Sequence, residues 1–280
     1  MIVQNQVCDN LSVMICTHHN THINELKLAF YSSCVFQFLL PSEVIIVKDG
    51  PVNEKVVVFI EYLRDVHNVT VISTSENFGH GNARNLALRE TRKEWMAIVD
   101  SDDFSFPSRF LVQMKYLKKH PNVSVLGGGL VEFEVFDGAP TFNKTRRFPE
   151  SASDVLKEAR VRCPIAQPTV VFRVDDVRSV GGYLHWHNNE DYFLWIRLLS
   201  KKYVIQSLPD TVIYMKFDLN SVLRRRGIAY WWNEVALQWC SYKLGTTTLR
   251  LLFFGILVRL MLQVVLPARI LKKIYKTCLR

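Results

Sequence analysis

The chain has 280 residues, of which 49% are apolar and 22% charged, with a formal net charge of +9. That balance suits one large or two small globular domains and excludes a disordered, collagenous or coiled-coil chain. Residues 243–280 carry +8, no acidic residue follows Glu234, and the remainder is close to neutral at +1, which argues against a general nucleic-acid-binding surface.

Cysteines at 8, 16, 34, 163, 240 and 278 have neither metal spacing nor the look of a disulfide framework, so reduced thiols in a cytosol are expected. No secretory leader pattern precedes Asp9 and Asn10; the stretch to Cys16 reads as a first strand. Strands are then predicted at 12–16, 44–47, 69–73, 96–99 and 123–127, with helices at 26–38, 55–64, 81–91 and 107–120 between them. Pro107 sits in the first turn of the last of these helices. Alternation of apolar strands with helices means a largely parallel sheet covered on both faces.

Beyond residue 130 the pattern loosens. A strand at 130–136 alternates as an antiparallel one does, and a helix at 151–159 takes Ser151 or Ser153 as its cap. A strand at 169–173, a helix at 191–199 and closing strands at 204–208 and 211–216 follow. The last part is helical, at 219–227, 229–244 and 248–266. The expected division is a catalytic domain over 1–216, with a nucleotide-sugar half at 11–130 and an acceptor half at 131–216, and a helical extension over 217–280.

The strongest chemical signal is Asp100-Ser101-Asp102-Asp103, directly after an apolar strand. Carboxylates so close repel one another, so stability alone does not gather them. At the end of a parallel strand they face the ligand crevice, where hard oxygens suit Mg²⁺ or Mn²⁺ on a diphosphate. The structural alternative is a solvated turn before a helix. Asn77 to Asn85, with Gly79, Gly81 and Arg84, opens a helix and favours an anion, but Arg84 breaks the dinucleotide G-x-G-x-x-G pattern. Asp49 ends the second predicted strand, and Asn188-Asn189-Glu190-Asp191 precedes a helix that Asp191 would otherwise merely cap.

These pieces, with residues 12–17 and in this order, resemble the inverting family 2 glycosyltransferases of the GT-A fold. Val180-Gly181-Gly182-Tyr183 and Arg224-Arg225-Arg226-Gly227 are similar to the bacterial O-antigen and exopolysaccharide branch, whose Asp-x-Asp-Asp box accompanies hexose transfer to a sugar on undecaprenyl diphosphate. The resemblance implies an α/β fold with a Rossmann-like nucleotide-binding half. It implies Asp49 on uracil, Asp100 and Arg84 on the uridine side, Asp102 on Mn²⁺ or Mg²⁺, and Asp103 orienting the donor sugar. It also places Thr17 and Glu190 in the donor site and makes Asp191 the general base. Thr17-His18-His19-Asn20 and Lys48-Asp49 depart from the family's usual first-loop and second-strand residues, which leaves nucleotide contacts there open.

Other readings stay beside these. Arg225 and Arg226 suit phosphate recognition or a plain basic helix end. The clusters His18, His19, His22 and His185, His187 lack zinc spacing, and Trp186 either packs or stacks on a sugar. Residues 249–266 are long enough to span a bilayer, but Arg259 lies near the middle. Lys and Arg from 269 to 280 alternate with apolar residues, so a peripheral anchor on the anionic cytoplasmic leaflet is expected. The competing functions are a dTDP-deoxyhexose transferase, a metal-dependent nucleotidyltransferase and a non-catalytic sugar-binding scaffold.

Overall fold

The computed structural model describes residues 6–136, 139–186, 188–217, 225–267 and 270. Strands β1 (Gln6–Thr17), β2 (Leu39–Lys48), β3 (Thr70–Ser73) and β4 (Trp95–Asp100) alternate with helices α1 (Ile23–Cys34), α2 (Glu54–His67) and α3 (His80–Glu90). Then come β5 (Phe104–Ser105), α4 (Arg109–Lys119), β6 (Val123–Phe136), β7 (Ala139–Arg146) and α5 (Ala152–Ala159). A 3₁₀ turn (Gln167–Thr169) leads to β8 (Val171–Arg173), α6 (Val174–Ser179), α7 (Glu190–Ser200) and β9 (Val204–Lys216). Helices α8 (Ile228–Lys243) and α9 (Leu249–Leu260) and a π-helical turn (Met261–Val265) complete the described chain.

All nine strands form one sheet, ordered β3-β2-β1-β4-β8-β6-β9-β5, with β7 paired to β6. The pairs β3-β2, β2-β1 and β1-β4 are parallel, as the apolar runs require. Strand β8 is antiparallel to both β4 and β6, and β6 is parallel to β9. The carboxyl ends of β1, β2, β4, β6 and β9 therefore lie at one end of the sheet. The core is double because side chains alternate along each strand. Val13, Ile15, Ile46, Ala97 and Val99 meet Leu26, Phe30 and Phe110 on one face. Met14, Ile45, Met96 and Ile98 meet Ala83, Tyr183 and Trp195 on the other.

The structure departs from the sequence reading in several elements. Residues 123–136 are one strand rather than two, because Gly127, Gly128 and Gly129 continue it. A Cβ on Gly127 would lie 2.5 Å from Ile165 Cδ1, and one on Gly128 2.8 Å from Val212 Cγ2, so these glycines mark close packing rather than a turn. Residues 204–216 likewise form one strand. Pro107 precedes α4, whose N-cap is Ser108. Ser151 caps α5 by accepting from Asp154 N at 3.1 Å. Strands β5 and β7 and helix α6 carry no signal read in advance. The predicted helix at 219–227 lies outside the described residues through 224, and 225–227 are not helical. The predicted helix at 248–266 is α9 followed by the π turn; Gln263 O accepts from Gly227 N and Leu266 O from Arg226, drawing its end toward the start of α8.

Candidate active site

Strand β1 ends at Thr17, which is fully buried and donates to Val47 O at 3.4 Å. Strand β2 delivers Asp49, also buried. Its Oδ1 accepts from Phe78 N at 2.8 Å and its Oδ2 from Gly79 N at 3.0 Å. Asp49 thus fixes the turn that opens α3, and a uracil contact would share these oxygens. Gly50 has φ +79°, and a Cβ there would lie 2.7 Å from Asn77 N, so only glycine lets the two loops approach.

Helix α3 carries Arg84 inward. Its guanidinium is buried and donates to Glu190 Oε1 at 3.1 Å and to Asp100 Oδ1 at 3.3 Å. Burial alone would pull its pKa down; Asp100, Tyr183 and Glu190 outweigh that and push it up. One fixed cation therefore joins the end of β4 to the first turn of α7. The Tyr183 ring lies beneath it, 5.6 Å from centroid to guanidinium carbon. Asn85 supports Tyr183 by accepting from its N–H at 2.8 Å.

The Asp box divides into three environments. Asp100 is half-buried against Arg84. Asp102 is exposed at the rim, yet surrounding protein and the neighbouring Asp100 and Glu25 raise its pKa to about 6. Asp103 is buried and accepts from Lys216 N at 2.8 Å, tying the box to β9. Burial, then Asp102 and Asp100, push its pKa well up. Beneath the box, buried Arg109 donates to Ser105 Oγ at 3.0 Å and to Ile98 O at 2.9 Å.

Among the described residues, no three His, Cys, Asp or Glu side chains are gathered to hold a metal by themselves. The donor set still fits a hard divalent cation shared with a ligand. Mg²⁺-type sites commonly use one or two carboxylates plus substrate phosphates. Asp102 at the rim, beside Asp100, supplies such oxygens.

Asp191 is the second residue of α7, whose N-cap is Asn189. Its Oδ1 accepts from Tyr192 N at 2.7 Å. Burial, then Glu190, raises its pKa to about 6, against the pull of that N–H, Arg84 and Arg225. Arg225 is exposed within electrostatic reach of Asp191. Arg226 instead turns to Leu266 O.

Three side chains outside the anticipated set join this region. His80 meets His18 ring to ring at 5.6 Å, and His18 meets His19 at 5.6 Å. Burial, then His80 and His19, lowers the His18 pKa. The box 77–85 contains His80, but only the fold brings it to the first loop. Asn189 Nδ2 donates to buried Glu234 Oε1 at 2.6 Å, a contact across 45 residues with no local sequence signal. Trp186 packs on Phe193 at 4.6 Å, and His187 lies outside the described residues.

Comparisons with known proteins agree with this architecture. Residues 12–176 match the family described as "Glycosyl transferase family 2". The amylovoran biosynthesis glycosyltransferase AmsE of Erwinia amylovora is 30% identical over 240 residues, covering 86% of this chain and 88% of its own. The UDP-Gal:alpha-D-GlcNAc-diphosphoundecaprenol beta-1,3-galactosyltransferase of Escherichia coli is 28% identical, covering 86% of each chain. The crystal structure of S. aureus TarS 1–349 in complex with UDP-GlcNAc has a TM-score of 0.59 and 18% identity, covering 81% of this chain and 65% of that one. That likeness shows the GT-A fold. On the family match over most of the sheet and the relatives aligned nearly end to end, the chain belongs to glycosyl transferase family 2 and is a glycosyltransferase.

Proposed function

We propose that the chain transfers a hexose, glucose or galactose, from a UDP-sugar to a saccharide on undecaprenyl diphosphate, forming a β1,3 bond with inversion. The observation that carries this is the Arg84 bridge. It couples the end of β4, where carboxylates suit a nucleotide diphosphate, to the first turn of α7, which bears a carboxylate with a pKa raised to about 6. The substrate class follows that of the Escherichia coli relative, whose name gives a UDP-galactose donor and a diphosphoundecaprenol acceptor.

In this reading Asp191 removes the proton from the acceptor hydroxyl as its oxygen attacks the anomeric carbon. The glycosidic bond forms, the bond to the UDP oxygen breaks, and the proton remains on Asp191. One displacement inverts the centre. Arg84 holds Asp100 and Glu190 toward the uridine side, and Asp49 keeps the Phe78–Gly79 turn shaped for the nucleotide. Thr17 closes the floor of that pocket, and Asp103 orients the donor sugar through the loop it ties to β9. Asp102 would hold Mn²⁺ or Mg²⁺, which when bound supplies neutralisation of the departing diphosphate. Arg225, close to Asp191, suits the acceptor diphosphate better than Arg226, which is engaged with Leu266.

Among the described residues no helix is long and apolar enough to cross a membrane. With a lipid-borne acceptor and a basic C-terminal stretch, the enzyme works from the cytoplasmic face of the inner membrane as a peripheral protein. The test is UDP release from a panel of UDP-sugars and dTDP-deoxyhexoses, with and without synthetic GlcNAc- and GalNAc-diphosphate lipids. Acceptor-dependent UDP release supports the reading. Release of dTDP alone, or turnover of pyrophosphate, overturns it.

A further inference from the structure

Helices α8 and α9 pack as a hairpin in which the polarity of α8 is reversed. In a water-soluble helix pair the apolar stripe faces inward and the polar face outward. Here the buried residues of α8 are Tyr230, Glu234, Leu237, Gln238 and Ser241, so its inner face is mainly polar. Glu234 Oε2 accepts from Arg259 Nε of α9 at 2.8 Å, and its Oε1 accepts from Asn189 and, at 3.2 Å, from Tyr230. Trp231 Nε1 also donates to Ile256 O at 3.2 Å. The Arg259 and Trp231 bonds join α8 to α9, and the Asn189 bond holds the hairpin to the start of α7.

The outer faces are apolar. On α9, Phe253, Phe254 and Leu257 are 60%, 66% and 61% exposed, and Met261 extends the row at helical spacing. On α8, Trp232 and Trp239 are exposed. Scattered exposed apolar residues are ordinary, but contiguous rows on neighbouring helices mark a contact with another phase or partner. The charged residues flanking these rows decide which. Exposed Lys243 sits 5.3 Å from the Trp239 ring, and Arg250 is exposed in the first turn of α9. No acidic residue occurs after Glu234. Aromatic and aliphatic side chains with Lys243 and Arg250 beside them along the two helices match an anionic lipid interface. Together α9 and the π turn run over residues 249–265, at most about 25 Å, short of a roughly 30 Å hydrocarbon core, and no helix among the described residues is long and apolar enough to cross a membrane, so the hairpin is read as lying in the interface.

We propose that the α8–α9 hairpin is a membrane-docking element, its outer apolar face entering the headgroup–acyl boundary of an anionic leaflet while its polar inner face grips the catalytic fold. This deepens the peripheral reading above and rests on it for the purpose of docking. It shifts the anchor from the terminal charges to a folded surface. The enzyme's grip on the membrane and the placement of α7 then share one set of contacts, through Glu234 and Asn189.

The experiment is co-sedimentation of the full chain with phosphatidylglycerol-containing vesicles, in the absence of donor and acceptor. The triple variant Phe253→Gln, Phe254→Gln, Leu257→Gln keeps the net charge and alters only exposed positions. Full burial of one such side chain is worth about tenfold in partition. The triple variant should therefore bind at least about tenfold more weakly, with unchanged thermal midpoint and unchanged UDP-sugar binding. Brominated lipids should quench the wild-type tryptophan emission, and Trp232→Phe with Trp239→Phe should remove that quenching. Equal vesicle binding by wild type and triple variant overturns the proposal. So does a wild-type dimer in sedimentation that the triple variant dissociates with vesicle binding unchanged, which would make the face a contact between copies. Because binding is read without substrate, failure of the proposed transferase activity leaves this result standing, and the converse also holds.

Discussion

At the scale of single residues, Asp191 and Asp102 carry the sharpest consequences. Asp191→Asn keeps the shape and the bond to Tyr192 N but cannot take a proton. Its kcat should fall by about 10²–10⁴-fold while UDP-sugar Kd stays near wild type; near-normal kcat would leave Asp191 a mere first-turn residue and move attention to Glu190. The pH dependence has a definite sign. Burial and Glu190 raise the Asp191 pKa to about 6, so its carboxyl is largely protonated at pH 5 and ionised at pH 7. kcat should rise with pH through about 6, and Asp191→Asn should lose that limb. Asp102→Ala should abolish turnover, and chelation should do the same to the wild type, reversed by Mn²⁺ or Mg²⁺. Full turnover with the metal demonstrably removed would refute that role. Both aspartates stand out in the sequence because carboxylates at a strand end or before a helix are unusual without a task. The side on which each would point was not: Asp49 and Asp103 carry equal sequence weight, yet both accept from backbone N–H groups of neighbouring loops.

At the scale of elements, the parallel half was readable from its apolar runs: β3, β4, α2 and α3 lie within a few residues of their predicted spans, while β2 contains its predicted run 44–47 but begins at Leu39. The second half misled at residues 123–136, read as two strands where the fold has one. In β6 three glycines sit mid-strand because β9 and the loop before β8 press on them. Gly128→Ala tests this: its Cβ would meet both methyls of buried Val212, at 2.8 and 2.9 Å, and a branched side chain in a full core has nowhere to turn. The expected loss is about 1–3 kcal/mol, read as a lower urea midpoint at constant m-value. The two-residue β5 has too few residues to carry a period, and only its pairing with β9 makes it a strand.

At the scale of the whole molecule, the C-terminal hairpin holds a charge pair inside, and the carboxylate of that pair also takes the bond from Asn189 that ties the hairpin to the catalytic fold. Arg259 reads in the sequence as an obstacle in an apolar run; in the fold it is the partner of buried Glu234. Glu234→Ala would leave that guanidinium mostly buried without its carboxylate and free Asn189 at the N-cap of α7. Breaking such a pair costs about 3–5 kcal/mol, and differential scanning calorimetry should show a lower midpoint. An unchanged midpoint would mean the hairpin contributes nothing to the cooperative unit. No local pattern announces this pair, because its members lie 25 residues apart on different helices.

The sheet order has a consequence for how the chain is made. Strand β4 ends at Asp100, but its outer neighbour β8 begins only at Val171, and β6 waits for β9 at Val204. At about 5–20 residues per second, the ribosome leaves the β4 edge uncovered for roughly 4–14 s. During that interval the most apolar strand of the sheet presents unpaired N–H and C=O groups beside the nascent Asp box, an open edge prone to pairing with other chains. Expression should therefore depend on a holding chaperone during synthesis of residues 100–173, and fragments ending before β8 should aggregate even where they contain Asp49, Arg84 and the Asp box.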